Sequence, residues 1–135
     1  MTLVDSSVWI DLFADRDTPQ TRKLRELAAD RQPILVGDLV LTEVLQGTRD
    51  EREFALRLIE LSLFDQIRIA DSVSAAQAAR NYRHLRGLGI TVRKTVDTLI
   101  ATRCILDNIP LLFADRDFLP FVRHLNLRSA LHDTE

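Results

Sequence analysis

The sequence contains little cysteine, glycine or proline, and neither sign of charge dominates it. Its single cysteine, Cys104, excludes an internal disulfide and any zinc site built from cysteines. Cys104 lies in an apolar helical segment, so we interpret it as a small core residue. The four glycines and four prolines are scattered, without a linker, a repeat or a low-complexity tract. We therefore predict one domain over residues 1–135, large enough to bury about two-thirds of its unfolded surface.

Long apolar runs and a leader segment are also missing from the sequence. No run of about 18 apolar residues is present that would span a membrane. No basic segment precedes the first predicted strand, as it would in a signal peptide. We therefore expect a cytoplasmic protein with no membrane segment. The net charge of −2 argues against a strongly basic nucleic-acid surface, although a local patch or a bound cation can supply a positive field.

Short apolar segments typical of strands alternate along the chain with segments typical of helices. The predicted strands are Leu3-Val4, Ile34 to Val36, QIRIA and PLLFA. The predicted helices are SSVWIDLF, a segment from about Asp38 to Gly47, DEREFALRLIELSLF, DSVSAAQAARNYRHLRGLG, TVDTLIATRCILDN and DRDFLPFVRHL. We expect the pair Ser6-Ser7 to cap the first helix. The alternation predicts an α/β fold of three layers (α/β/α) with a mostly parallel central sheet.

Acidic residues directly follow two of the predicted strands. Asp5 comes after the first strand, Asp115 follows PLLFA, and Asp117 comes two residues later. The carboxyl ends of strands are where open α/β sheets bind their ligands. Each of these acids has a structural alternative, because aspartate is also a good helix cap.

Two further acids fall on helices that are otherwise apolar. Glu43 shares a helix face with Val40 and Gly47, and we expect this helix to be buried around most of its circumference. Asp97 shares its face with Ile100 and Cys104. A buried carboxylate is costly unless its charge is paired. The alternatives are that Glu43 pairs with an arginine and that Asp97 is an ordinary first-turn acid.

These acids are predicted to converge, because strand ends and helix starts of a parallel sheet meet at one edge. Carboxylates gathered there repel one another and need compensation. The sequence offers no cluster of histidine or cysteine, and an all-oxygen ligand set suits Mg²⁺ or Mn²⁺. The pattern therefore predicts a divalent-metal site that acts on a phosphodiester.

The motifs VDSSVWIDLF, LTEVLQG, TVDTLIA and LLFADRDF, in this order, resemble those of the PIN-domain nucleases, and most closely the VapC toxins of bacterial toxin–antitoxin pairs. The resemblance covers nearly the whole chain. It implies a PIN-like fold and a metal-dependent endoribonuclease that cleaves tRNA or ribosomal RNA. It also implies a homodimer, held inactive by a cognate antitoxin that reaches into the active site.

The resemblance also assigns roles to individual residues. The catalytic acids are Asp5, Glu43, Asp97 and Asp115, with Asp5 and Asp97 as the principal metal ligands. Asp117 matches a frequent additional acid and Ser7 a hydroxyl that orients the first aspartate or meets a phosphate. Ala114 departs from the family pattern, in which a polar residue often precedes the fourth acid. The implied chemistry is metal-assisted hydrolysis with Mg²⁺, which Mn²⁺ is expected to replace.

Basic residues near the predicted site are candidates for contacting RNA. Arg93 and Lys94 directly precede the Asp97 helix, and we assign them to RNA contact. Arg80, Arg83 and Arg86 recur on one helix, where they either extend a basic rim or form an ordinary solvated face.

Three other classes of protein are alternatives to the nuclease. A phosphatase of the haloacid dehalogenase type needs an aspartate where Ser7 stands. A phospho-receiver needs an acidic pair near the end of the first strand and a lysine after a late strand, and the sequence has neither. A catalytically inactive PIN-like module that binds RNA or protein is the remaining alternative, although the four acids are all present.

Overall fold

A computed structural model describes residues 1–131, and residues 132–135 lie outside the described part of the chain. The predicted domain of residues 1–135 extends over those last four residues. Within residues 1–131 the strands are β1 (Thr2–Val4), β2 (Ile34–Gly37), β3 (Asp65–Ile67) and β4 (Leu111–Leu112). They form one sheet in the order β3-β2-β1-β4, and all three pairings are parallel.

The helices of residues 1–131 surround this sheet. They are α1 (Ser6–Phe13), α2 (Pro19–Ala29), α3 (Asp38–Gln46), α4 (Glu51–Ser62), α5 (Ser72–Gly87), α6 (Thr95–Asp107) and α7 (Leu119–His124), and a 3₁₀ turn, Arg116–Phe118, precedes α7. Helix α1 packs on α2 and α3, α3 packs on α4, and α5 pairs with α6. The predicted α/β/α fold with a parallel central sheet is confirmed.

Helix α2 was missing from the sequence-based prediction, although the sequence carries its signals. Thr18 forms a capping box with Thr21, and Pro19 occupies the first turn. Both features are typical of a helix start. The helix is polar over most of its length, and only two of its residues, Thr21 and Leu24, are buried.

Two local expectations about helices were wrong. Asp5, and not the pair Ser6-Ser7, is the N-cap of α1, as the structural alternative for Asp5 had it, because the aspartate side chain accepts a hydrogen bond from the Ser7 backbone N–H. Helix α3 is not buried around most of its circumference, since only Val40 and Val44 are buried. Its other residues remain partly or fully exposed, so α3 has a single buried face.

The core lies between the sheet and the two groups of helices. Leu3, Val4, Leu111 and Leu112 are fully buried in the central strands. Cys104 is also buried, as its interpretation as a core residue predicted, and burial raises the pKa of its thiol. In residues 1–131 no helix is both long and apolar enough to cross a membrane.

The order of the strands determines where the sheet has its crevice. Strands β2 and β3 lie on one side of β1, and β4 lies on the other side, so the direction in which strands are added reverses at β1. Such a reversal opens a crevice at the carboxyl ends of the strands on either side of it. Helix α6 ends in the left-handed residue Asn108, just before β4 begins at the opposite edge. The first turn of α6 therefore lies at the crevice.

Candidate metal centre

Asp5 stands at the centre of the crevice, directly after β1. Its backbone N–H donates a hydrogen bond to the carbonyl of Leu112 on β4 over 2.9 Å. Asp5 is only 3% exposed. Its Oδ2 accepts hydrogen bonds from the Ser7 backbone N–H (3.1 Å) and the Ser7 hydroxyl (2.6 Å). Its Oδ1 is buried without a hydrogen-bond partner. Asp5 therefore caps the helix with one oxygen and leaves the other free.

Ser7 joins the ends of the two central strands. Its hydroxyl donates to Asp5 and accepts a hydrogen bond from the backbone N–H of Ala114, over 3.1 Å. The contact from residue 114 uses a backbone group, so it does not require a polar side chain there. Ser7 thus holds one oxygen of Asp5 by two hydrogen bonds, and its role in the site stays a prediction.

Asp97 approaches the crevice from the first turn of α6. Its residue is 3% exposed, and its Oδ2 is buried without a hydrogen-bond partner. Burial chiefly, and the negative charge of Asp5 after it, raise the pKa of Asp97 to about 7. A first-turn acid that served only the helix dipole would lie at the surface, where its charge is solvated. Asp97 is instead held in a position that penalises its charge.

Glu43 reaches the same crevice from the second turn of α3. Its Oε1 accepts a hydrogen bond of 3.1 Å from the hydroxyl of Ser6. Burial raises the pKa of Glu43, and the charge of Asp5 adds to the effect. The alternative that Glu43 pairs with an arginine finds no support, because no ion pair of Glu43 is present among residues 1–131. The role of Ser6 was missed, since the sequence suggested only a cap.

Asp115 and Asp117 occupy the turn after β4. Asp115 caps this turn by accepting a hydrogen bond from the Asp117 backbone N–H, over 2.9 Å. Carboxylate oxygens of Asp97, Asp115 and Asp117 lie within 4.8 Å of one another, close enough to share one metal ion. The structure therefore groups Asp117 with Asp115 and Asp97, while Asp5 and Glu43 lie next to this trio.

Arg93 and Lys94 approach the acids from the segment before α6. Arg93 Nη2 contacts both carboxylate oxygens of Asp117, at 2.9 and 3.0 Å. Lys94 Nζ lies 3.6 Å from Asp115 Oδ2. The charge of Asp97, followed by that of Asp115, raises the pKa of Lys94. Sequence reasoning placed these two cations near the site but did not foresee their pairing with its acids.

The other basic residues singled out in the sequence lie on α5. Arg80, Arg83 and Arg86 line a surface depression of about 450 Å³ together with His84. All three arginines are exposed, and none forms an ion pair within residues 1–131. They do not contact the acids of the crevice.

The chemistry of the crevice fits a divalent cation. Two of its carboxylates each keep a buried oxygen without a partner, which is costly unless a ligand binds there. The negatively charged side chains at the crevice are all carboxylates, and hard cations such as Mg²⁺ and Mn²⁺ prefer oxygen ligands. Of the five predicted ligands, Asp5, Glu43, Asp97, Asp115 and Asp117, the last three have carboxylate oxygens close enough to share one ion.

Comparison with known proteins identifies the family of this chain. The sequence profile of the PIN domain matches residues 2–121. The chain belongs to the PIN domain family. The resemblance seen in the sequence motifs is thereby confirmed at the level of the family.

Individual relatives are similar over nearly their whole length. Ribonuclease VapC11 of Mycobacterium tuberculosis is 27% identical over 131 residues, which are 96% of this chain and 98% of the relative. Among solved structures, VapBC2 of Rickettsia felis bound to a DNA fragment from its promoter is similar with a TM-score of 0.73. That match has 20% identity and covers 95% of this chain and 96% of the other. VapC20 of Mycobacterium tuberculosis, described as a sarcin-ricin loop cleaving toxin, matches with a TM-score of 0.64 at 16% identity over 88% of this chain and 93% of that one. The solved structures establish the fold.

Proposed function

We propose that this protein is a metal-dependent endoribonuclease that acts as the toxin of a type II toxin–antitoxin pair. The observation that carries the proposal is the pair of buried carboxylate oxygens without partners, Asp5 Oδ1 and Asp97 Oδ2, at the crevice of a PIN domain. The ribonuclease names of the relatives support the choice of RNA as substrate. Residues 1–135 act in this proposal as one nuclease domain, in the cytoplasm, where tRNA and ribosomes are found.

The carboxylates are proposed to hold Mg²⁺, which Mn²⁺ can replace. When bound, a divalent ion polarises the scissile phosphate and lowers the pKa of a water molecule, so that hydroxide is available near neutral pH. Asp5 and Asp97 are the principal ligands in this proposal, with Glu43, Asp115 and Asp117 completing the set directly or through water. Their excess negative charge makes the crevice selective for a cation and repels RNA phosphates until the cation is bound.

Hydroxyl groups position two of these acids. Ser7 fixes Asp5 Oδ2 by two hydrogen bonds, which leaves Oδ1 as the oxygen available to a metal ion. Ser6 holds Glu43 by one hydrogen bond. Adjacent serines at the start of α1 thereby orient acids from two elements, which keeps the ligand atoms in place before the metal arrives.

The proposal includes protein partners. An antitoxin is proposed because the similar solved structures include toxin–antitoxin complexes. We expect co-expression with the cognate antitoxin to give a stable complex without ribonuclease activity, in which a peptide segment lies across the crevice. A homodimer is also proposed, on the resemblance alone. A purified complex with full ribonuclease activity would count against the antitoxin assignment.

The test is cleavage of tRNA and ribosomal RNA by the purified protein with Mg²⁺, with Mn²⁺ and with EDTA. Cleavage that needs the metal and disappears in Asp97→Asn is the expected result. Sequencing of RNA ends after induced expression would then identify the target. Metal binding without cleavage of any cellular RNA would favour the alternative, an inactive PIN-like module that binds RNA or protein.

A further inference from the structure

The acids of the crevice are compensated unequally. Asp115 and Asp117 each have a cation beside them, and both cations come from consecutive residues of one segment, Arg93 and Lys94. Asp5 and Asp97 have no cation partner within residues 1–131, although Asp97 and Asp115 both act on the pKa of Lys94. Two positive charges therefore lie on the outer side of the acidic crevice.

The side chains of these two cations lie at the protein surface and are not packed in the core. The side chains of Arg93 and Lys94 are 76% and 56% exposed, whereas those of Asp117 and Asp115 are 22% and 27% exposed. Lys94 occupies the N-cap position of α6 but makes no side-chain capping bond. Neither cation has to leave a packed position in order to move away from the acids.

We propose that Lys94, together with Arg93, is a tethered counter-ion of the metal centre. The two side chains neutralise part of the acidic crevice when no metal is bound, and they compete with the metal for the oxygens of Asp115 and Asp117. The inference rests on the proposed function, since it takes the crevice to be a metal site. It differs from assigning these residues to RNA contact, because it predicts an effect on metal binding in the absence of RNA.

Electrostatics give the direction of the effect. A cation beside a carboxylate stabilises its charged form, so Lys94 lowers the repulsion among the acids of the metal-free protein. The same positive charge repels an incoming divalent ion and occupies one of its ligand oxygens. Removing Lys94 should therefore destabilise the metal-free protein and tighten metal binding.

The chain offers a matched control, because it has only two lysines. Lys23 lies on α2 beside Thr2 and Pro110, at the amino ends of β1 and β4 and thus at the opposite edge of the sheet. Lys23→Met and Lys94→Met change the net charge equally. Any difference in metal binding between the two variants is therefore due to the position of the lysine and not to the total charge of the protein.

The experiment is isothermal titration of the full-length wild type, Lys94→Met, Lys94→Arg and Lys23→Met with Mn²⁺ at low ionic strength. Lys94→Met should bind Mn²⁺ roughly two- to five-fold more tightly than the wild type, the size expected for an exposed charge pair. Lys94→Arg and Lys23→Met should bind like the wild type. In EDTA, Lys94→Met should melt at a lower temperature than Lys23→Met, and saturating Mn²⁺ should remove that difference.

The outcomes separate this inference from the proposed function. Binding of Mn²⁺ to the wild type, with equal or weaker binding to Lys94→Met, overturns the counter-ion role and leaves the metal site standing. Weaker binding of non-cleavable RNA by Lys94→Met, with unchanged Mn²⁺ affinity, also overturns it and assigns Lys94 to RNA contact. Binding to Lys94→Met but not to the wild type supports the inference strongly. If neither binds Mn²⁺, the metal site and the inference both fail.

Discussion

The inner acids of the crevice, Asp5 and Asp97, differ from the outer acids, Asp115 and Asp117, in their exposure and in whether a cation lies beside them. Each inner acid is 3% exposed and keeps one oxygen without a partner, whereas each outer acid is partly exposed and has a cation beside it. The outer pair is compensated by the protein alone. The inner acids form no ion pair within residues 1–131 and each leaves one oxygen without a partner, which is costly in a folded protein and is typical of a site that a ligand completes.

The largest effect is expected at Asp97. Asp97→Asn should abolish metal binding at the crevice and RNA cleavage, while the melting temperature of the metal-free protein stays the same or rises, because a repelling charge is removed. Cleavage assays and thermal denaturation in EDTA test this. The matched control is Asp107→Asn at the exposed end of the same helix, which should leave cleavage unchanged. A folded Asp97→Asn protein that still cuts RNA would exclude the ligand role.

Asp5→Asn should also abolish cleavage, and it should leave the start of α1 intact. The asparagine side chain can still accept the capping hydrogen bond from the Ser7 backbone N–H, so the helix start is retained. Asp5→Ala removes that acceptor and should cost about 1 kcal/mol of stability more than Asp5→Asn. Urea denaturation of both variants measures the difference. Equal stabilities of the two variants would mean that the capping hydrogen bond contributes little to stability and that Asp5 serves only the metal site.

A bound metal should compensate the inner pair and thereby stabilise the fold. At a Mn²⁺ concentration of about a hundred times the dissociation constant, the free energy of unfolding should increase by about 2.7 kcal/mol. Thermal denaturation with and without Mn²⁺ measures the increase, and Asp97→Asn should show much less. If Mn²⁺ stabilised both proteins equally, the ion would be bound somewhere else.

The positions of the acids were more predictable from the sequence than the contacts that these acids make. Asp5, Asp97 and Asp115 could be placed at one edge because each follows a strand or begins a helix in an alternating pattern. The partners of these acids could not, because a contact between residues distant in sequence, such as Ser6 with Glu43, depends on how α1 and α3 pack. Periodicity shows which face of an element is buried but not which side chain of another element it meets.

The pH dependence of stability is a further test of the inner acid Asp97. The pKa of Asp97 is raised from its ordinary value of 3.8 to about 7 in the folded protein, chiefly by burial. Between these values the folded state binds more protons than the unfolded state, so the stability of the metal-free protein should fall as the pH rises from 4 to 7. Melting temperatures of the wild type and of Asp97→Asn in EDTA measure the contribution of Asp97 as a difference. A difference that does not change over this range would contradict the raised pKa.

The smallest effect is expected at Asp117, and its comparison with Asp115 tests the outer pair. Asp115 follows β4 and acts on the pKa values of Asp5, Asp97 and Glu43, so Asp115→Asn should strongly reduce cleavage with little change in melting temperature. Asp117 is held by Arg93 through both of its oxygens, so it is the least available of the trio for a metal ion.

We therefore expect Asp117→Asn to reduce cleavage less than Asp115→Asn, and to lower the melting temperature slightly because its contact with Arg93 is weakened. Cleavage rates and melting temperatures of the two variants, measured side by side, give the order. Arg93→Gln is the informative control, because it frees Asp117 without removing its carboxylate. If Asp117→Asn were the more damaging change, the fourth ligand would be Asp117, and Arg93 would have to leave it before the metal binds.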